Sequence, residues 1–182
     1  MKFVKYFFVL LLSLILLFVA KGFLTPSISY SSEITVEKPL KEAWAVMSDE
    51  SKTSLWLEGI IDSELVSGQK GEIGSVTKYT FSNKGQESYI YETLKSIEEE
   101  KYVAMDFVIE GVMTMDYRMD FSFLDGKTVI KSSTTTTGDG MLMRSMLSFM
   151  QNSMLEQEEK NMNNLKKVID QNTTDYFFND VE

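Results

Sequence analysis

A single long segment near the C-terminus, Met141 to Gln171, constrains the fold more than any other feature. It contains no proline, and Asp139 precedes it as a suitable N-cap, so the sequence predicts one uninterrupted helix. At 1.5 Å per residue this helix would be about 45 Å long, which exceeds the width of a small domain. Its first half is rich in methionine, leucine and phenylalanine, whereas its second half is charged with a thin apolar stripe. We therefore expect a curved antiparallel sheet to wrap the first half and to leave a ligand cavity between the two layers.

The residues before this helix predict two short helices and seven strands. Pro39 suits the first turn of a helix over Leu40 to Met47, and Ser48 and Asp49 can cap a second helix that ends near Trp56. Glycine-containing or acidic turns separate the strands. The predicted strands are Tyr30 to Glu37, Ile60 to Val66, Gly74 to Phe81, Glu87 to Ile97, Tyr102 to Ile109, Met113 to Phe123 and Lys127 to Thr137.

Strict alternation of apolar and polar residues from Met113 to Phe123 predicts a strand with one dry and one wet face. A three-residue loop at Asn83 to Gly85 would place Tyr79 opposite Tyr89. The loops that flank the alternating strand fix its register, because only one choice keeps the apolar residues of neighbouring strands on one face. The predicted pairs are Met105 with Tyr117, Phe107 with Met115, Met119 with Ser132, and Tyr117 with Thr134.

The composition excludes several kinds of chemistry. The chain has 182 residues, no cysteine and no histidine, so it has no thiol nucleophile, no Ser-His-Asp triad and no histidine zinc site. Its net charge of −9 gives no indication of nucleic-acid binding. Any catalysis would use carboxylates, Tyr, Lys, Arg or Ser, and we expect neither a metal nor a cofactor.

The N-terminal residues 1–24 read as a membrane anchor or a signal peptide. Tyr6 to Leu24 is nearly long enough to span a bilayer if Lys21 reaches the interface, and no good cleavage site follows it. Lys2 and Lys5 would keep the N-terminus in the cytoplasm and place the domain on the other side of the membrane. A secreted protein, produced by signal cleavage, is the alternative. Residues 25–29 would be a linker, 30–171 the domain and 172–182 an acidic tail.

The order of these elements carries a family resemblance. The segment VEKPLKEAWAVMSDESKTSLWLEGI has Pro39 after a strand, Trp44 in the first helix, Asp49 between the helices and Trp56 near the end of the second. With the strands and long helix that follow, Tyr30 to Gln171 resembles the START-like or SRPBCC superfamily. That group includes polyketide cyclases, lipid-transfer domains and plant pathogenesis-related proteins. The resemblance implies an α+β helix-grip fold, and it carries over no catalytic residue because the superfamily has no universal catalytic motif.

The apolar face of the sheet and the facing side of the long helix define a candidate ligand pocket. Methionine adapts its shape to irregular ligands, although it also fills irregular cores. Ser132 and Thr134 would form a polar strip for one end of an apolar ligand, unless they only reflect strand propensity. The predicted pocket residues are Trp56 at the mouth, Met105, Phe107, Met115, Tyr117, Met119, Ser132, Thr134, Met146, Phe149 and Met150.

The carboxylates of the alternating strand point away from this pocket. We expect Asp106 and Asp116 to lie opposite each other on the wet face, with Arg118 between them, and the charged run Glu156 to Lys160 to form a solvated helix face. The sequence therefore predicts a membrane-tethered binding domain for a hydrophobic small molecule or lipid. Two alternatives remain, namely a cyclase-like or hydrolase-like enzyme that uses an inward Tyr117, and a scaffold with a filled core.

Overall fold

A computed structural model describes residues 2–83 and 85–177 of the chain. It contains four α-helices, one 3₁₀ turn and seven strands within those residues. The elements, in chain order, are α1 (Lys2–Leu24), β1 (Ser27–Val36), α2 (Leu40–Ser48), the 3₁₀ turn (Glu50–Lys52), α3 (Thr53–Trp56), β2 (Ile60–Ser67), β3 (Val76–Asn83), β4 (Gln86–Glu98), β5 (Tyr102–Ile109), β6 (Met113–Leu124), β7 (Lys127–Gly138) and α4 (Gly140–Asp170).

The seven strands form one antiparallel sheet in the order β1-β7-β6-β5-β4-β3-β2. Together with the 31-residue α4 and the short helices after β1, this confirms the predicted helix-grip fold. One boundary is wrong: Ser27 to Ser29, assigned to a linker over 25–29, already belong to β1. These residues pair with Thr137 to Thr135 of β7, and Ile28 is buried, so the chain enters the sheet directly after Pro26.

The register predicted for the centre of the sheet is confirmed. Met105 pairs with Tyr117 and Phe107 with Met115, while Tyr117 pairs with Thr134. The predicted Tyr79–Tyr89 pair is wrong, because Tyr79 lies opposite Ile90. Asn83 pairs with Gln86, where a three-residue loop would have paired Ser82 with Gln86, so the partners shift by one position.

The outer face of the sheet carries a charge cluster with a different cation from the predicted one. Asp106 and Asp116 do lie opposite each other. Lys95 from β4, not Arg118, bridges them, with its Nζ atom 3.1 Å from one carboxylate and 2.7 Å from the other. Arg118 instead pairs with Asp120 at 2.7 Å, because its own strand places that carboxylate two residues away on the same face.

The core is closed by the second half of α4. Met162, Leu165 and Ile169 are fully buried in one cluster with Trp44 and Phe121, whose rings meet edge to face at 5.0 Å. The start of the predicted acidic tail completes this end, since Tyr176 also packs against the cluster. Its hydroxyl donates a hydrogen bond of 2.7 Å to Asp49. Residues 178–182 lie outside the described part of the chain.

The first half of α4 packs against α1 as well as the sheet. Phe149 stacks on Phe18 with ring centroids 6.2 Å apart, and the Lys21 ammonium lies 4.3 Å from the centre of the same ring. Gly22 makes the close approach possible, because a Cβ there would overlap the Ser145 hydroxyl. Helix α1 is long and apolar enough to cross a membrane, a property that signal sequences share.

Candidate functional site

The concave face of the sheet brings together the aromatic and methionine side chains at the centre of the predicted pocket. Tyr117 and Met119 are buried, and Met105, Phe107 and Trp56 pack in the same cluster. The Phe107 and Tyr117 rings meet edge to face at 5.7 Å. Met105, Phe107 and Met115 on this face keep part of their surface accessible. This part of the concave face is therefore apolar, with Tyr117 and Met119 covered and these last three side chains only partly covered.

A row of hydroxyls lies along the same face of β7. Ser132, Thr134 and Thr136 are all buried. The Oγ1 atoms of Thr134 and Thr136 lack a hydrogen-bond partner of normal geometry among the described residues, as does Trp56 Nε1. A buried polar group left unpaired costs about 1–3 kcal/mol, so each such group calls for an explanation. Two of these three residues, Trp56 and Thr134, belong to the predicted site.

Glu158 is an inward acid that the sequence interpretation missed. It lies in the segment assigned to a solvated helix face, but the Tyr117 hydroxyl donates a hydrogen bond of 3.3 Å to its Oε1 atom. Burial raises the pKa of Glu158, and interactions with Ser132 and Tyr117 only partly oppose that rise. Its position four residues after Met154 and four before Met162 places it on the buried stripe of α4, and that spacing was the available signal.

Two tyrosines share this polar region. Burial raises the pKa of Tyr117 well above its ordinary value, and the nearby Glu158 carboxylate adds to the effect. Burial also raises the pKa of Tyr30 on β1, while its contacts with Thr136 and Thr134 work in the opposite direction. Both phenols therefore keep their protons near neutral pH and act as hydrogen-bond donors. Glu158 accepts from Tyr117, and its raised pKa makes the protonated form easier to reach than in an exposed glutamate.

A second inward acid lies on β4. Glu92 pairs with Phe107 across the strands and so shares the concave face. Burial raises its pKa to about 7, against the opposing hydrogen bond from Tyr79, and the charge of Glu50 adds to the increase. Tyr79 and Glu50 line a hollow of about 320 Å³ beside α3 and β2. Asp106 and Asp116 thus point outward, but Glu92 and Glu158 still place carboxyl groups on the inner side of the sheet.

Two of the predicted pocket residues on α4 do not face the sheet. Phe149 and Met146 are exposed. The Phe149 ring is directed towards α1, where it contacts Phe18 and Lys21, and not towards the sheet. Met150 is half-buried. In this part of α4, Leu147 is fully buried, although the predicted inward residues were Met146, Phe149 and Met150.

Two hollows on the described part of the chain are lined by residues other than those predicted for the pocket. The 320 Å³ hollow is lined chiefly by the start of β2, Tyr79 and the segment Glu50 to Ser54. The other, of about 250 Å³, lies beside Arg144 where the β5–β6 turn meets the end of β7. No group of three acidic residues that could hold a metal ion occurs in residues 2–83 or 85–177.

The fold matches several solved structures of low sequence identity. Ara h 8.0201 is 19% identical and superimposes with a TM-score of 0.62 over 80% of this chain and 99% of its own. A protein of Thermus thermophilus is 12% identical, with a TM-score of 0.61 over 78% of this chain and 97% of its own. The di-domain aromatase/cyclase StfQ of the steffimycin biosynthetic pathway is 7% identical, with a TM-score of 0.64 over 80% of this chain and 51% of its own.

The sequence gives the more specific assignment. No curated protein sequence matches the chain. Residues 27–170, from the first residue of β1 to the last of α4, match the profile of a family described as polyketide cyclase/dehydrase and lipid transport. The match covers well over half of the chain and includes every element that forms the concave site. The chain therefore belongs to the polyketide cyclase/dehydrase and lipid transport family.

Proposed function

We propose that this protein is a membrane-tethered domain that binds a hydrophobic small molecule or lipid on the concave face of its sheet. The observation that carries the proposal is the row of buried hydroxyls beside an apolar surface, in which Thr134 and Thr136 contact the Tyr30 phenol but make no hydrogen bond of normal geometry among the described residues. A core that is only structural gains nothing from such groups, since an apolar residue of the same shape would remove their cost. A ligand with a polar end would satisfy them and place its apolar body against Met105, Phe107 and Met115.

The tether is proposed from α1. Its residues Phe3 to Leu24 are long and apolar enough to span a bilayer, and only a small share of their surface is buried in the protein. The charges of Lys2 and Lys5 favour a cytoplasmic N-terminus, which puts the domain on the extracytoplasmic side. A short tether raises the local concentration of membrane lipids at the domain. An intact N-terminus on chains recovered from membranes would support the anchor, and a cleaved one would support secretion.

Replacing Thr134 by Val tests the binding role directly. The change removes a poorly paired hydroxyl with little change of shape, so we expect the free energy of unfolding to change by no more than about 1 kcal/mol. We also expect less co-purifying ligand, measured by native mass spectrometry after gentle detergent extraction. Thr137→Val, on the exposed face of the same strand, is the matched control.

Each outcome of that comparison decides between interpretations. Loss of bound mass in Thr134→Val alone supports the site. A wild-type chain that carries no bound molecule, even after incubation with a total lipid extract, supports the scaffold with a filled core. A large loss of stability in Thr134→Val would show that the hydroxyl has a structural partner, and it would remove the main argument for the site.

The Tyr117–Glu158 contact favours a second candidate, a cyclase-like or hydrolase-like enzyme. The Tyr117 phenol holds its proton near neutral pH and lies 3.3 Å from the Glu158 carboxyl group, whose pKa burial raises, so the pair could protonate a ligand carbonyl oxygen. Once a substrate is found among neutral carbonyl compounds, Tyr117→Phe should lower turnover while it leaves binding largely intact. Unchanged turnover in that variant would exclude Tyr117 as the acid.

A further inference from the structure

The first turns of α4 present a stripe of exposed apolar side chains that we call the docking face: Leu142, Met146 and Phe149. They follow one another at intervals of four and three residues, so they lie on one side of the helix. Leu142 and Phe149 are each 65% exposed and Met146 is 39% exposed. The end of α1 is exposed beside them, with Phe23 at 71% and Leu24 at 83%. Exposed apolar surface of this extent indicates a binding partner.

The contacts with α1 fix where this face lies relative to a membrane. Phe149 stacks on Phe18, which is six residues before the end of α1 and therefore about 9 Å below it along the helix axis. The Lys21 ammonium lies over the Phe149 ring at 4.3 Å. In a helix that spans the bilayer, a lysine at this position extends to the lipid headgroups. The Phe149 ring beneath it would then lie at or just below headgroup level.

The connection between α1 and β1 is too short to let the domain separate from the end of α1. Only Thr25 and Pro26 separate the end of α1 from the start of β1. The Thr25 amide continues the helix by donating a hydrogen bond of 2.9 Å to the Lys21 carbonyl. Gly22 packs α1 closely against Met141 and Ser145. Helix α4 is thus held against the last turns of α1.

The charge distribution at this end of the molecule suits lipid headgroups. The chain as a whole has a net charge of −9 and 27 acidic residues. However, neither α1 nor α4 before Glu156 contains an acidic residue, whereas Lys21 and Arg144 both lie at this end. Asp139 precedes α4 and lines the same hollow as Arg144, but with the two cations it leaves little repulsion between this end and anionic phospholipids.

We infer that the docking face is inserted into the interface of a phospholipid bilayer, in the leaflet where α1 ends. The inference rests on the proposed membrane tether and extends it, because α4 as well as α1 contacts lipid. Interfacial helices of this kind bury their apolar side about 5–10 Å into the boundary between headgroups and acyl chains. The domain would then lie on the membrane at a fixed orientation and would not swing on a flexible linker.

Fluorophore labelling of single cysteines can test this insertion, because the full chain has no native cysteine. The variants Leu142→Cys, Phe149→Cys, Asp125→Cys and Leu10→Cys are labelled with an environment-sensitive fluorophore. They are placed in nanodiscs of phosphatidylcholine and phosphatidylglycerol. Asp125 is the control because it is exposed in the β6–β7 turn, at the end of the hairpin opposite to Gly138 and the start of α4. Leu10, in the middle of α1, reports whether α1 spans the membrane.

We expect labels at positions 142 and 149 to be quenched by spin-labelled lipid and protected several-fold from aqueous iodide, relative to position 125. Lipid quenching at position 10 with iodide quenching at both 142 and 149 would overturn the docking of α4 while leaving the tether intact. Iodide quenching at position 10 would overturn the tether, and the inference with it. The Phe149→Cys variant loses the Phe149–Phe18 ring contact. The Leu142→Cys variant keeps that contact, so it reports the position of α4 without this change.

Discussion

The two halves of α4 differ in burial in the opposite sense from what their compositions suggest. The first half, up to Met154, has the higher apolar content, yet Leu142 and Phe149 are largely exposed there. The second half carries most of the charges, yet Met162, Leu165 and Ile169 are completely buried. Composition shows what surroundings a helix can tolerate, whereas spacing shows which of its faces is covered.

The surroundings of each half explain the difference. Helix α4 runs beside β1, so that the Gln151 amide donates to the Ser29 carbonyl at 3.2 Å and Lys166 bonds to the Thr35 carbonyl. The turns before Gln151 extend past the start of β1 and meet α1. The later turns lie beneath α2 and α3, where the sheet and the short helices enclose them. The charged half therefore supplies the α4 residues of the main core cluster, although Leu147 of the first half is also fully buried.

Alanine substitutions in the two halves should give the largest contrast. Leu165→Ala should lower the free energy of unfolding by about 2–5 kcal/mol, because it leaves a cavity in a fully buried site. Leu142→Ala should change it by no more than about 0.5 kcal/mol, because that side chain is exposed. Urea denaturation of the detergent-solubilised chain measures both. Similar losses in the two variants would mean that the first half also belongs to the folding core.

A bulky side chain at Gly22 should separate the first half of α4 from α1. Gly22→Val would place its Cβ against the Ser145 hydroxyl and 3.0 Å from the Met141 carbonyl oxygen, at a cost of about 1–3 kcal/mol for the contact. We expect a chain with cysteines at positions 18 and 149 to lose cross-linking by a short bismaleimide when this change is added. Leu16→Val, on the exposed side of α1, should leave the cross-link unchanged. Full cross-linking in Gly22→Val would show that the helices do not depend on this close approach.

The smallest expected effect concerns the pH dependence contributed by Glu158, at the boundary of the two halves. Its raised pKa means that the folded state binds this proton more tightly than the unfolded state. That stabilisation is complete below the ordinary glutamate pKa of 4.5 and is lost as the pH rises through the raised value. The stability of the wild type relative to Glu158→Gln should therefore fall as the pH rises. Denaturation of the wild type and of Glu158→Gln from pH 4 to 8 measures this difference, and a difference that is constant over that range would contradict the prediction.

Much of the fold could be predicted because it rests on strong local signals. Period-two alternation in β6 determined which of its residues lie inside, and the need to keep them on one face set the register with β5 and β7. The register of β3 and β4 could not be determined in this way, because turns of two and three residues both suit the glycine at position 85. A shift of one residue there moved the partner of Tyr79 from Tyr89 to Ile90.

The site was harder to predict than the sheet. Tyr117 and Thr134 were placed by register, and both are buried on the concave face. Glu158 and Glu92 were missed, because a glutamate in a charged or strand sequence is usually exposed, and only the tertiary fold leaves these two side chains half-buried. The direction of Phe149 was missed for a similar reason, since it depends on how α1 crosses α4 and not on the sequence of α4 alone.

The inward carboxyl groups have a consequence for which molecules the interior can accept. Among the groups that perturb the pKa of Glu158 or Glu92, none is a lysine or an arginine. A carboxylate guest, such as an ionised fatty acid, would lose its hydration beside these carboxyl groups without a lysine or arginine to pair with, so it would have to enter with its own proton. Alcohols, ketones, esters and amines face no such barrier. We therefore expect the site to select its ligands by charge more strongly than by shape. Acidic ligands should bind only as the pH falls.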